Sequence, residues 1–469
     1  MSAPRIGRRE RTATRALAMM VALALIVFAW GCASSNQSMP PMGTMPTSSA
    51  AMAVSVGDAP VDGIVEFEIT ISQITLTDTS NNMVTVLAHP TEVELSHVNG
   101  TVEPIAVMNV PAGTYTHATI TVSSPEVEIV NSTGQVQKLT ATLAGTTATV
   151  NFSPNLVVTA GMPVTLNFDF NLASSVSISG TTATITPTFT ATVQQAAANE
   201  NEQDDDNGEM EDVQGSVTGV AAPNFTISVE QSSQSLTFTT NSNTQFEGVS
   251  GVSGLMNGMI VEVDSVTQSD GTHLATKVDV EENDAEGMEA EGLINTTTGT
   301  PVTSFTLVVQ DEAAPGSTMP ALGSTLTVNL TANTIFRIGG GHHIILTGLS
   351  ITPMFDASHL ADAQRVEVDS TTASTTMVTA DKVRLQPEAI TGMVSNVVQI
   401  DSSHLSFTLT PAADSFFDRL SGQASLTVLT QPNTEMKTTP MANATVRVRG
   451  LLFVNGTAYT MVAAKVMTP

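Results

Sequence analysis

Five short blocks of sequence return in the same order three times, and this repetition constrains the fold more than any other feature. The first pass reads Gly215-Ser216-Val217, Phe225-Thr226-Ile227, Asn243-Thr244-Gln245-Phe246, Val261-Glu262-Val263 and Ala275-Thr276-Lys277-Val278. The second reads Gly292-Leu293-Ile294, Phe305-Thr306-Leu307, Asn333-Thr334-Ile335-Phe336, Val366-Glu367-Val368 and Ala380-Asp381-Lys382-Val383. The third reads Gly392-Met393-Val394, Phe407-Thr408-Leu409, Asn433-Thr434-Glu435-Met436, Val446-Arg447-Val448 and Ala463-Ala464-Lys465-Val466. Such recurrence marks one supersecondary unit used three times, with loop insertions stretching its spacing. The blocks alternate apolar and polar residues, and no helical period is sustained after residue 32, so the expected class is all-β. Each unit, over 213–280, 291–385 and 388–468, is expected to hold about five strands closing into a small barrel of the oligonucleotide/oligosaccharide-binding type. The Gly that opens each unit is read as permitting tight curvature at a strand start. The Lys of Ala-x-Lys-Val lies between two core positions and is expected to face solvent, guarding an edge rather than touching a ligand.

Upstream, residues 53–195 read as a β-sandwich. Val65, Phe67, Ile69 and Ile71 alternate with polar residues, and Ile74 and Leu76 continue in the opposite phase, which predicts one long strand with a β-bulge near Ser72-Gln73. Leu166, Phe168, Phe170 and Leu172 alternate with Asn167, Asp169 and Asn171 as a half-buried strand. Ile185, Phe189, Ala191 and Val193 suggest a further strand, which Pro187 assigns to a sheet edge. Pro111-Ala112-Gly113 is a turn launching Thr114–Val122. One-sided alternation implies two sheets face to face. Val56-Gly57-Asp58-Ala59-Pro60, the long strand after it, Pro111-Ala112-Gly113-Thr114-Tyr115 and Asn167-Phe168-Asp169 resemble, in order, the family called domain of unknown function 4382. That resemblance implies a transthyretin-type sandwich of bacterial envelope lipoproteins with no assigned activity. The three repeats, the first most closely, resemble the domain of unknown function 5666 family, which likewise brings no chemistry.

Two acidic stretches separate these regions. In residues 199–212 eight of fourteen side chains are acidic, and a second stretch runs from Glu281 to Glu289. Like charges at this density resist collapse, so 196–212 and 281–290 are read as solvated linkers. Asp204-Asp205-Asp206-Asn207-Gly208 lacks the ligand order of a calcium loop, and weak divalent-cation association is the most it suggests.

The N-terminus has the zones of an export signal. Arg5, Arg8, Arg9, Arg11 and Arg15 precede an uncharged apolar run from Ala16 to Ala29, shorter than a membrane span of roughly 20 residues. Gly31 then precedes Cys32, the only cysteine of the chain. This layout resembles the lipobox of bacterial lipoproteins, with Ala29 and Trp30 where Leu and a small residue are usual. It implies a signal peptide over 1–31, lipidation at Cys32 and a flexible tether over 32–52. Buried acyl chains at about 0.8 kcal/mol per CH₂ then make membrane lipid the first partner. Ala33 stands where an inner-membrane retention signal has Asp, which favours the outer membrane or cell surface. Removal of 1–31 takes away five Arg and one Glu, so the net charge goes from −28 to −32. A surface of this sign repels nucleic acid.

Chemistry is otherwise scarce. His342-His343 follow a glycine run without a third ligand, and His89, His97 and His117 share no metal-binding spacing. Nucleophile elbows, zinc-protease motifs and phosphate loops are absent from the sequence. No catalytic residue, cofactor site or metal ligand set is therefore assigned. The expected function is a non-catalytic envelope lipoprotein that binds, displays or scaffolds, with an envelope protein or polysaccharide as its partner. Binding of glycan or cell-wall polymer is the alternative, opposed by a processed chain whose amphipathic aromatics reduce to Tyr115 and Tyr459. A hydrolase with an unrecognised site is the second alternative.

Overall fold

A computed structural model describes residues 49–469 apart from 59–60, 62, 97–101, 163, 196–208, 230–234, 269–271, 282–287, 314–318, 340–343 and 402. The expected signal peptide over 1–31 and the expected lipidation site Cys32 lie outside the described residues. Strands dominate, as the alternation predicts, and Thr47–Pro469 forms one compact unit.

The first region contains β1 (Ser49–Asp58), β2 (Ile64–Asp78), β3 (Met83–Leu87), β4 (Thr91–Glu94), β5 (Val102–Pro111), β6 (Gly113–Val130) and β7 (Val136–Lys138). It continues with β8 (Thr140–Leu143), β9 (Thr147–Val158), β10 (Val164–Phe170), α1 (Leu172–Ser175), β11 (Val176–Ser179), β12 (Thr182–Ile185) and β13 (Phe189–Gln195). One sheet has the order β13-β10-β1-β5; a second has β3-β2-β6-β7, with β4 beside β2 and β9 beside β6; a small third has β11-β12-β8. The first two share a single core, in which Met52, Val54, Phe168 and Phe170 meet Phe67, Ile69 and Ile120. Phe67 stacks on Phe170 with ring centroids 5.1 Å apart, a pairing that contributes roughly 0.5–1.5 kcal/mol beyond the buried area.

Register in β2 slips between Ile71 and Gln73, so the bulge lies at Ser72, where the phase of apolar residues flips. Three expectations need correction. β1 begins at Ser49, so the last four residues of the expected tether are strand; Ala50 and Met52 are buried because the alternation of Val54 and Val56 extends back through them. Ile185 and Phe189 do not share a strand: Ile185 ends β12 and Phe189 opens β13, which lie in different sheets with Pro187 between them. β10 is not half-buried in the simple sense, because it runs between β1 and β13 and Thr165 is buried as well. β13 is an edge strand. Tyr115 closes the Pro-Ala-Gly turn by donating its hydroxyl to the Pro111 carbonyl at 2.9 Å.

The first repeat comprises β14 (Glu209–Ala221), β15 (Asn224–Val229), β16 (Ser235–Thr239), β17 (Gln245–Glu247), β18 (Ile260–Thr267) and β19 (His273–Glu281). Its order is β16-β15-β14-β18-β19, and a parallel β16–β19 pairing closes the ring, with short β17 added along β19. The second comprises β20 (Met288–Gly299), β21 (Val302–Ala313), β22 (Thr325–Asn329), β23 (Ile335–Ile338), β24 (Arg365–Ser370), β25 (Met377–Thr379) and β26 (Lys382–Leu385). Here the last strand is broken between β25 and β26, so β22 pairs β25 while β24 and β23 pair β26. The third comprises β27 (Glu388–Gln399), β28 (Leu405–Pro411), α2 (Phe416–Ser421), β29 (Leu426–Leu429), β30 (Glu435–Met436), β31 (Thr445–Asn455) and β32 (Ala458–Met467), again closed by β29–β32. Both acidic stretches are invaded by strand: Met210 in β14 and Met288 and Ala290 in β20 are buried, because apolar residues at alternate positions give these ends a core-facing side. Residues 196–208 and 282–287 lie outside the described residues.

The Asn-Thr block and the Ala of Ala-x-Lys-Val recur because they bond each other. The hydroxyls of Thr244, Thr334 and Thr434 donate to the carbonyls of Ala275, Ala380 and Ala463 at 2.7, 2.8 and 2.6 Å. Each also accepts the backbone N–H three residues earlier, pinning the turn before the short parallel strand.

Candidate functional site

Two kinds of charged cluster stand out, and sequence reading located neither. The first follows from strand arithmetic. Glu66 and Glu68 flank Phe67 on β2, Glu92 and Glu94 flank Val93 on β4, and Glu126 and Glu128 flank Val127 on β6. Phe67, Val93 and Val127 point into the core, so their neighbours project from the opposite face of the sheet. Register sets Glu66 opposite Glu128, and Glu68 between Glu94 and Glu126. Six carboxylates thus gather on one face, where like charges directly opposite are destabilising.

The end of this face is covered by the repeats. Val65 and Val130 join a core cluster with Leu293 and Val308 of the second repeat and with Phe416, Phe417 and Val448 of the third. The Gln310 side chain on β21 donates to the Val65 carbonyl at 2.5 Å and to the Ser96 hydroxyl at 3.0 Å. Arg419 of α2 donates to the Val130 carbonyl. Gly323 abuts the Glu128 carboxyl so closely that an added Cβ would lie 2.6 Å from it. Burial is graded across the face. Glu92 is exposed, Glu68 and Glu126 are half-buried, and Glu66, Glu94 and Glu128 are buried. Glu94 is anchored by the N–H groups of Phe67 and Ser96 and by the Ser96 hydroxyl, at 2.8, 2.9 and 2.6 Å.

Electrostatics follow burial. Desolvation, with the charges of Glu94, Glu128 and Glu68, pushes the Glu66 carboxyl up to about 9. Desolvation and a hydrogen bond with Glu92 raise Glu68 to about 8, and desolvation, opposed by Lys138, raises Glu128 to about 7. Lys138 on β7 is bound to Glu126.

The second kind of cluster corrects the reading of the repeated Lys. Lys277, Lys382 and Lys465 have side chains only 13, 22 and 17% exposed, and each is ion-paired rather than turned to solvent. Lys277 meets Glu262 at 3.2 Å and Asp279 at 3.7 Å; Lys382 meets Asp369 at 2.5 Å and Glu367 at 3.7 Å. In the third unit the acids of the neighbouring strand are replaced by Arg447 and Arg449, and Lys465 instead meets Glu435 of β30 at 3.2 Å. The Lys is held between two strands, and the acid that neutralises it has changed sides. Arg384, one Lys-Val step further along, leaves its own barrel to bond Asp279 of the first repeat at 2.5 Å, with Glu367 at 3.6 Å.

Among the described residues, Glu289, Glu367 and Asp369 form a group of three carboxylates with one oxygen of each within 4.8 Å of the others. Lys382 and Arg384 already pair with two of its members, Glu367 and Asp369. His97, His342 and His343 fall outside the described residues. His117 lies on β6 beside the Thr116 hydroxyl, at 2.9 Å.

Comparison with known proteins is sparse. No curated protein matches the chain. Among solved structures, the single-stranded DNA binding protein from Thermus aquaticus matches at 12% identity in its wild-type form, covering 39% of this chain and 92% of that chain with a TM-score of 0.16. A deletion mutant of the same protein matches at 11% identity, covering 39% and 93%, with the same TM-score. A superposition that poor supports no argument about fold or ligand. Among family models, residues 49–186 match the domain of unknown function DUF4382 and residues 214–279 match the domain of unknown function DUF5666.

Proposed function

We propose that this protein is a lipid-anchored, non-catalytic module of the bacterial cell envelope, held through Cys32 and serving as a binding, display or scaffold element. The observation that supports this reading is how the β-domains are joined. Buried polar contacts link them directly: Gln310 to Val65 and Ser96, Arg384 to Asp279, Arg419 to Val130, and Gln364 to the Leu452 carbonyl at 2.8 Å. Tyr459 of the third repeat donates to the Asp362 carbonyl of the second at 3.0 Å. Junctions of this kind fix the domains against each other, which suits presentation of a surface at a set geometry better than turnover of a substrate.

The anchor is tested by Cys32→Ser, which is expected to move the protein from the membrane fraction to the soluble one. A variant that still pellets and resists carbonate washing overturns lipidation as the anchor. Crosslinking in intact cells is expected to capture an envelope protein or polysaccharide. Hydrolytic turnover by the purified protein, in the presence or absence of chelator, overturns the non-catalytic reading.

A further inference from the structure

Glu66 is 1% exposed, and neither of its carboxylate oxygens meets a hydrogen-bond donor among the described residues. A buried carboxyl group without a partner is costly, and folded proteins rarely leave one unsatisfied by protein, water or an ion. This one stands opposite Glu128 in the strand register and lies within the field of Glu94, Glu128 and Glu68. A third orphaned oxygen accompanies it. Gln310 uses its amide nitrogen on Val65 and Ser96, the neighbours of Glu66 and Glu94, while its own amide oxygen is buried without a donor.

Acceptors without donors are what a hard cation requires. Carboxylates and an amide carbonyl make up the ligand chemistry of calcium, which accepts 6–8 oxygens in flexible geometry, water included. The gradation from exposed Glu92 through half-buried Glu68 and Glu126 to buried Glu66 provides a charged path inward. We propose that this carboxylate face is a divalent-cation site of calcium type, with Glu66, Glu128 and the Gln310 amide oxygen as protein ligands. The ion would join the first domain to the second repeat, since Gln310 belongs to β21 and the other two to β2 and β6.

Two other acidic features lack this combination. In the Glu289–Glu367–Asp369 group two of the three carboxylates are already ion-paired, Asp369 with Lys382 and Glu367 with Lys382 and Arg384. Glu388 is also buried with both oxygens unpartnered, but the charge acting on it is Arg365, not a second carboxylate. They therefore serve as controls. The site is independent of the lipid anchor, and the two are tested separately.

The test is calorimetric titration of calcium chloride into the purified full-length protein after chelator treatment, with magnesium chloride in parallel. The expected result is one saturable calcium site, with affinity at least tenfold lower in Glu66→Gln and in Glu128→Gln and unchanged in Glu289→Gln and Glu388→Gln. Calcium is expected to raise the melting temperature of the wild type and not of Glu66→Gln. Gln matches the shape of Glu, and Glu128→Gln carries the test if Glu66→Gln does not fold. Wild-type affinity in both variants, or only diffuse non-saturable uptake by the acidic segment 199–212, overturns the proposal.

Discussion

The Gly that opens each repeat is required for a reason that can be ranked by distance. None of Gly215, Gly292 and Gly392 has a positive φ, so left-handed backbone is not what selects them. A Cβ at Gly292 would lie 1.8 Å from the Val308 carbonyl oxygen, one at Gly215 would lie 2.5 Å from that of Ser228, and one at Gly392 would lie 2.8 Å from that of Thr410. All three obstacles are backbone of the adjacent strand and cannot rotate away. Restoring a separation of about 3 Å requires the strands to part by about 1.2 Å at Gly292, about 0.5 Å at Gly215 and about 0.2 Å at Gly392, against an overpacking cost of roughly 1–3 kcal/mol or more. Gly292→Ala is therefore expected to cost about 3 kcal/mol or more, Gly215→Ala about 1–2 kcal/mol and Gly392→Ala about 1 kcal/mol or less. Gly219, four residues along the same strand as Gly215, has nothing within 4 Å of an added Cβ. Gly219→Ala should be neutral or stabilising by about 0.4–1 kcal/mol, through loss of unfolded-state entropy. Urea unfolding followed by circular dichroism reads all four, with midpoints shifted at constant slope. A tolerated Gly292→Ala, or a reversed order, refutes the close-approach argument.

Two further perturbations test the charged junctions. Arg384→Met removes the bond to Asp279 and leaves that carboxylate and Glu367 without the guanidinium; a loss of about 3–5 kcal/mol and faster proteolysis between the first and second repeats are expected, and unchanged digestion refutes the bridge. Burial, opposed by Arg365, holds the Glu388 carboxyl well above its ordinary 4.5, so the native state keeps a proton that the unfolded chain gives up above that pH. Stability from this group is complete below pH 4.5 and falls as pH rises, by about 1.4 kcal/mol per unit, until the folded-state titration is passed. Glu388→Gln removes this slope, so wild type and variant should converge near pH 5 and separate by pH 8 in the variant's favour; parallel pH profiles refute the assignment.

Period-two alternation carried most of the architecture, because strand burial obeys it directly. It yielded the all-β class, the Ser72 bulge and the recurrence of strands. It did not yield the strand of each unit that pairs in parallel with the unit's end. Ser235-Leu236-Thr237-Phe238, Thr325-Leu326-Thr327-Val328 and Ser425-Leu426-Thr427-Val428 recur as clearly as the five blocks, yet they are short and lie in segments of variable length. The parallel pairing of these strands, which closes the ring in the first and third units and joins β22 to β25 in the second, is a long-range property that no local pattern states. The Gly positions were visible but misattributed, since composition reports that a Cβ is absent and not what occupies its place.

The charged sites were missed for a different reason. A polar residue at an outward strand position reads as solvated, and that inference fails when another domain covers the face. Glu66-Phe67-Glu68, Glu92-Val93-Glu94 and Glu126-Val127-Glu128 satisfy the outward rule perfectly, yet half of those carboxylates are buried beneath the repeats. The repeated Lys shows how the sequence can signal such coverage. Where Glu262 and Asp264, or Glu367 and Asp369, occur on the neighbouring strand, Lys277 and Lys382 pair with them. Where Arg447 and Arg449 replace those acids, an acid arises at Glu435, the position held by Gln245 and Ile335 in the other units. A solvent-facing Lys would place no such demand on its neighbours. Compensation of charge between repeats is therefore evidence of burial that the sequence itself carries, whereas the three Glu-x-Glu pairs of β2, β4 and β6 share one face with a single ion-paired lysine, Lys138.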